Sequence, residues 1–236
     1  SVLSRGLGDV YKRQERRYAD KNHNTSDLAT FASIEAIKDA GIDKEEIDYI
    51  IVAHNFGEID YNTNQYIALP SVATLVKHKL EISNENCVAY DIIFGCPGWV
   101  EGIIQAKAFI NSGMAKKCLV IGADTLSRTV DKNDRDSLIF ADGAGAAIVE
   151  KSEDGGGILS HKTITKAGKE ALYLFCKNSY SPKIKSKTKF IKMNGRKVYE
   201  FAISTIPNAL KSCIEKSGKN IDCLLYTSPS PRDNTL

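Results

Sequence analysis

Three short stretches of this chain are apolar almost without a break: Tyr49-Ile50-Ile51-Val52-Ala53, the run from Cys87 to Ile93, and Cys118-Leu119-Val120-Ile121-Gly122. A strand with one wet face alternates polar and apolar residues. An unbroken run belongs to a strand covered on both faces. Helical spacing fills the intervals. Leu28, Phe31, Ala32, Ile34 and Ile37 follow the capping chemistry of Thr25-Ser26-Asp27, and Gly41 stands where a helix-ending glycine belongs. Pro70 suits the first turn of a helix reaching about Leu80, and Pro97 to Ser112 reads as a helix with Gly113 beyond its end. Doubly covered strands alternating with helices predict a layered α/β architecture.

Further along, Ala144–Glu150 and Gly157–Thr165 read as two more strands. Asn194–Ser217 reads as a long helix with Val198, Phe201, Ala202, Ile206 and Leu210 as its apolar stripe. The stretch Phe56–Leu69, with Tyr61, Asn62, Asn64 and Tyr66, is too polar for core and is expected to be a loop. Ser181–Lys192 alternates lysine with other residues. That pattern fits a solvated edge strand or loop whose charges block pairing, or a salt-sensitive contact for an acidic partner.

The two ends have a separate origin. Ser4–Gln14 and Cys223–Asp233 can be encoded by opposite strands of one short DNA duplex, which two unrelated native peptides would not be. We read Ser1–Gln14 and Cys223–Leu236 as translated sequencing adapter or its junction, leaving about Glu15–Asp222 as native sequence. Removing the tails lowers the formal net charge from +3 to +1, so the basicity says little about nucleic acid. The remaining cysteines, Cys87, Cys96, Cys118, Cys176 and Cys213, are scattered and odd in number, which suits a reducing cytosol better than a disulfide framework. No run is long and apolar enough to span a bilayer.

The most informative stretch is Tyr90-Asp91-Ile92-Ile93-Phe94-Gly95-Cys96-Pro97-Gly98-Trp99-Val100-Glu101-Gly102. A buried strand ends, two glycines bracket a cysteine, and a helix begins. Gly95 permits a sharp turn, and Gly98 permits close backbone approach. Pro97 fixes a helical φ and removes a donor that would be orphaned at a helix start. Helix-end N–H groups and the macrodipole favour a thiolate at such a position, and a thiolate accepts acyl groups by covalent catalysis. From the residues alone, two readings of Cys96 stand: nucleophile, or small buried hydrophobe. The other cysteines lack the turn and are read as buried or inert. The glycine-rich Asp142–Ala147 lacks the lysine and spacing of a phosphate loop, and its glycines are expected to allow close packing of a central strand.

Asp91–Gly102 resembles the active-site segment of the β-ketoacyl-acyl-carrier-protein synthase III family, members of the thiolase superfamily of condensing enzymes. The likeness continues through Ile110–Gly113, Leu119–Arg128, Asp131–Arg135, Phe140–Ala146 and Met193–Tyr199. It implies a five-layered αβαβα fold of two similar halves, of which 15–165 would hold most of the first and 166–222 the beginning of the second. It implies a ping-pong reaction in which Cys96 takes an acyl group from acyl-CoA and malonyl-acyl carrier protein then condenses with it. No metal or bound redox cofactor is implied, nor any nucleic-acid or membrane partner; a cytoplasmic homodimer is. By position, Arg135 matches an arginine on the CoA adenine side, Leu126 and Phe140 match acyl-pocket residues, and Leu69 matches a residue reaching toward the partner subunit's pocket. The family's catalytic histidine and asparagine come later than Met193–Ser217. His23, His54, His78 and His161 are therefore read as surface or loop histidines. Trp99 and Pro97 depart from the commoner residues around this cysteine, and Ala141 replaces a usual glycine, departures that bear on which acyl group is taken. Priming of fatty-acid synthesis is the leading expectation. The alternatives are starter loading in a secondary-metabolite pathway and a non-catalytic partner subunit.

Overall fold

The computed structural model describes residues 18–152, 156–184 and 188–221; both tails expected to be foreign, 1–14 and 223–236, lie outside the described residues. The chain divides into two compact units. Among the described residues, one takes in the chain up to Gly157 together with Cys176–Ile191, the other Ile158–Phe175 and Lys192–Ile221.

The larger unit is built on a sheet of four strands: β1 (Tyr49–His54), β4 (Val88–Ile93), β5 (Lys117–Thr125) and β6 (Asp142–Glu150), in the spatial order β4-β1-β5-β6. β1 runs parallel to β4 and β5, and β6 is antiparallel to β5. Two of the three apolar runs form the inner strands. The third, Cys87–Ile93, expected to be a buried strand, gives β4 at the edge of the sheet, half-buried along its middle and exposed at Val88 and Ile93, because among the described residues only β1 pairs with it. β1 is buried from Ile50 to His54, and β5 from Cys118 to Ile121, because helices cover both faces. Two helices, α1 (Thr25–Ala40) and α2 (Val72–Lys79), lie on one face, where Ala29, Val72, Ala73 and Val76 pack with Ile50, Val52, Leu119 and Ile121. A third, α3 (Gly98–Asn111), lies on the other, where Ala106 packs with Cys118 and Val120. The period of two sends alternate residues of each strand to opposite faces. A short antiparallel ribbon, β2 (Glu58–Ile59) with β3 (Tyr66–Ile67), lies within the expected loop Phe56–Leu69. Its Glu58 and Ile59 are buried, so part of that stretch enters the interior, against the expectation of a polar loop.

Several expectations need correction. Gly157–Thr165 forms no strand: an apolar composition needs a hydrogen-bonding neighbour, and among the described residues it has no ladder partner. β6 lies at the sheet's edge, and a Cβ at Gly143 or Gly145 would meet nothing among the described residues, so these glycines do not serve close packing of a central strand. Pro70 precedes the α2 cap, Ser71, whose side chain accepts the Thr74 N–H. α1 starts from Asn24, whose capping box with Asp27 satisfies both backbone donors. The face that α1 buries is Ser26, Ala29, Thr30 and Ser33, while Phe31 and Ile34 are exposed. The hydroxyls of Thr30 and Ser33 donate to the carbonyls of Ser26 and Ala29, which lets polar residues go inside.

In the smaller unit, α4 (Gly195–Ser217) is capped by the Asn194 side chain, which accepts the Lys197 N–H, and ends at Gly218 in the left-handed region. Of its expected stripe, Val198, Phe201 and Ala202 are half-buried, whereas Ile206 and Leu210 are exposed. Lys166 donates to Thr205 Oγ1 at 3.2 Å and lies 5.9 Å from the Phe201 ring centroid. β7 (Leu174–Lys177) and β8 (Phe190–Met193) form a second two-stranded ribbon. Lys192, expected to lie in a solvated edge strand or loop, is buried in β8. Among the described residues, no helix is long and apolar enough to cross a membrane.

Candidate functional site

β4 delivers the chain to the Cys96 turn. Gly95 takes φ +77°, the left-handed region that favours glycine, and its carbonyl accepts the Gly98 N–H at 2.9 Å. Pro97 is the cap of α3 rather than its first residue, and Glu101 N–H closes the first helical bond on its carbonyl at 3.1 Å. Cys96 therefore sits one residue ahead of the cap, and it is exposed.

Two glycines press the start of α3 onto the sheet. A Cβ at Gly98 would fall 2.9 Å from Ala53 Cβ, and one at Gly102 only 2.7 Å from Val120 Cγ1. The expected close approach at Gly98 is thus present, and Gly102, four residues on, repeats it one turn later.

A cavity of about 250 Å³ opens beside Cys96, lined also by Ala53, Asn55, Trp99, Gly122, Asp124 and Ala141. Its polar side is organised by Asp124. That carboxylate accepts Asn55 N–H at 3.0 Å, Asn55 Nδ2 at 2.7 Å and Phe56 N–H at 3.3 Å. Burial pushes Asp124 above the ordinary carboxylate range, and these donors together with His54 only partly offset it. The Asn55 amide nitrogen is thereby committed to Asp124, and Asn55 Oδ1 faces the turn, 3.4 Å from where a Gly95 Cβ would stand.

Behind the turn, His54 is 2 % exposed, and its Nε2 lies 3.0 Å from Asp91 Oδ2. The same Asp91 accepts the Val72 and Ala73 N–H groups at 2.8 Å each, capping α2. The reading of His54 as a surface or loop histidine is wrong. It ends an inner strand, and burial there is tolerable because Asp91 takes one ring nitrogen. His23, His78 and His161 are not buried.

The remaining thiols contrast with Cys96. Cys118 lies under α3 with its pKa pushed up to about 12, chiefly by burial, and burial likewise raises Cys87. Of the other two thiols, read as buried or inert, Cys176 is exposed on β7 and Cys213 is intermediate. Arg135 is exposed at the start of the short turn Arg135–Ile139. Leu126 and Phe140 are half-buried, and Leu69 is 83 % exposed. None of these four lines the Cys96 cavity, although Ala141 and Asp124 do. Asn55 and Asp124, which sequence reasoning missed, come together from positions 69 apart. Among the described residues, no group of three or more His, Cys, Asp or Glu side chains could hold a metal ion.

Residues 90–167 match the family model for 3-oxoacyl-[acyl-carrier-protein] synthase III. The chain is 38 % identical over 222 residues to a β-ketoacyl-[acyl-carrier-protein] synthase III of Fusobacterium nucleatum, spanning 91 % of this chain and 64 % of that protein. It is 37 % identical over 206 residues to one of Staphylococcus epidermidis, spanning 87 % and 60 %. Crystal structures of the synthase III of Thermus thermophilus and of Aquifex aeolicus superpose with TM-scores of 0.71 and 0.73, at 34 % and 32 % identity. These cover 86–87 % of this chain and 60 % of each of those chains, so the chain spans somewhat less than two thirds of such relatives.

Proposed function

We propose, for a chain that belongs to the β-ketoacyl-[acyl-carrier-protein] synthase III family, that the whole protein is an acyltransferase joining an acyl-CoA starter to malonyl-acyl carrier protein. Cys96 is its nucleophile. The thiolate attacks the acyl-CoA carbonyl, CoA leaves as the thiol, and an acyl-cysteine remains. Malonyl-acyl carrier protein then loses CO2, and the carbanion so formed attacks the acyl-cysteine carbonyl. The Cys96 thiolate departs and β-ketoacyl carrier protein is released.

The observation that carries this reading is the exposure of Cys96 at the start of a helix, on a turn held by Gly95 and opening into a cavity. Arg135, exposed on its short turn, is free to meet the adenine side of CoA. β4 is an outer strand of its sheet, and Val88 and Ile93 at its two ends are exposed, Ile93 by 71 %. An apolar edge of that kind supports a homodimer closed over β4. The division at about residue 165 into a nucleophile-bearing half and the start of a second half belongs to the same reading.

The test is acylation of the full-length protein with a mass-tagged acyl-CoA. The tag is expected on Cys96 and on none of Cys87, Cys118, Cys176 or Cys213, and Cys96→Ser should abolish condensation because an alkoxide forms far less readily at neutral pH. A tag mapped to another cysteine would overturn the assignment. Arg135→Ala should raise the acyl-CoA KM more than it lowers kcat, as expected for a contact made equally in ground and transition states.

A further inference from the structure

The cavity beside Cys96 has an uneven lining. Ala53, Gly122, Ala123, Ala141, Gly143 and Ala144 are small, and Asn55 and Asp124 are tied to each other. Among the described residues, the one large apolar side chain on it is Trp99, three residues beyond Cys96 and in the first turn of α3. Its place is set from below. A Cβ at Gly122 would fall 3.3 Å from Trp99 Cβ, 3.6 Å from Cδ1 and 3.7 Å from Cγ, so the indole rests on the backbone of an inner strand. Trp99 cannot sink further toward the sheet, and no neighbour in the lining is large enough to replace its volume.

We infer that Trp99, seated on Gly122, sets how large an acyl group Cys96 accepts, an assignment that rests on the acyltransferase reading above. The acyl carbonyl carbon is bonded to Cys96 Sγ in the intermediate, so its chain must enter space next to the turn. The indole occupies part of that space. A smaller residue at 99 leaves a void against a floor made of glycine and alanine, which longer or branched acyl groups can fill. An added methyl at Gly122 works in the opposite sense, since it projects from the cavity wall and displaces the indole outward from the strand. One methylene more or less in an apolar pocket changes selectivity by about tenfold or more. A purely structural Trp99, by contrast, would affect every acyl-CoA alike.

The experiment compares full-length wild type, Trp99→Leu, Trp99→Phe and Gly122→Ala with straight-chain acyl-CoAs from acetyl to octanoyl. Acylation of Cys96 is confirmed in each case by peptide mass. Trp99→Leu should raise the kcat/KM ratio of long to short chains by about tenfold or more, with Trp99→Phe between it and wild type. Gly122→Ala should lower that ratio. If Trp99→Leu does not fold, the milder Trp99→Phe and the opposing Gly122→Ala still decide the matter. Losses independent of chain length in those variants would overturn the inference alone. Failure of the wild type to place any acyl group on Cys96 would overturn the acyltransferase reading, and this assignment with it.

Discussion

The start of α3 meets the sheet through glycine backbone, whereas the start of α1 is tied to its neighbours by hydroxyl groups. On the α3 side, Gly98 and Gly102 leave no room for even a methyl group against Ala53 and Val120. On the α1 side, Thr25 Oγ1 donates to the Gly57 carbonyl at 2.7 Å and lies 2.8 Å from Thr125 Oγ1 of β5, and Ser26 is held by both oxygens of Glu58. The first contact is steric and has almost no tolerance. The second is a set of exchangeable hydrogen bonds, each worth about 1 kcal/mol net but costlier to leave unmade. Where α3 meets the sheet, close contact rather than hydrogen bonding sets the geometry beside Cys96.

Substitutions should separate the two faces. Gly102→Leu is expected to have the largest effect, about 3 kcal/mol of destabilisation in urea unfolding of the full-length protein, because its side chain would occupy the site of Val120. A loss too small to detect would mean that α3 can lift off the sheet, and the contrast would fail. Glu58→Ala should cost less, about 2 kcal/mol, by leaving the buried Ser26 N–H and hydroxyl without their acceptor. If it costs more than Gly102→Leu, hydrogen bonding rather than contact is the stricter constraint.

The smallest effect is one of pH, and its sign differs between the faces. Asp27, at the start of α1, feels burial pushing its pKa up, but the Asn24 N–H and Lys79 outweigh this and hold it below the usual range. Its stabilising contribution is present above the unfolded-state pKa and disappears as pH falls through the folded one. Asp124, on the α3 side, is raised by burial, so its contribution is present below the unfolded-state pKa and is lost as pH rises through the folded one. Stability relative to Asp27→Asn should thus grow from acid toward neutral pH, and relative to Asp124→Asn it should shrink. Slopes of the same sign would refute the opposed electrostatics.

What the sequence made legible follows from how far each signal extends. The inner strands announce themselves because burial on two faces leaves consecutive apolar residues, and the Cys96 turn because its glycines and proline are adjacent. The α1 face was misread because Ser26, Thr30 and Ser33 can be buried once their hydroxyls are bonded, which removes the polarity that would mark them as external. β2 and β3 are too short, at two residues each, to display any period. His54, Asn55 and Asp124 are isolated polar residues at strand ends. Only the parallel pairing of β1 with β4 and β5 brings them to Asp91 and to one another. Trp99 was visible as a departure from the family, but its seat on Gly122 was not.

The spacing of Gly98 and Gly102 bears on how such a site can diversify. The location of the thiol is fixed by main chain against Ala53 and Val120, neither of which depends on Trp99, Asn55 or Ala141. A lineage can therefore exchange the cavity's side chains one at a time while inheriting an unmoved cysteine.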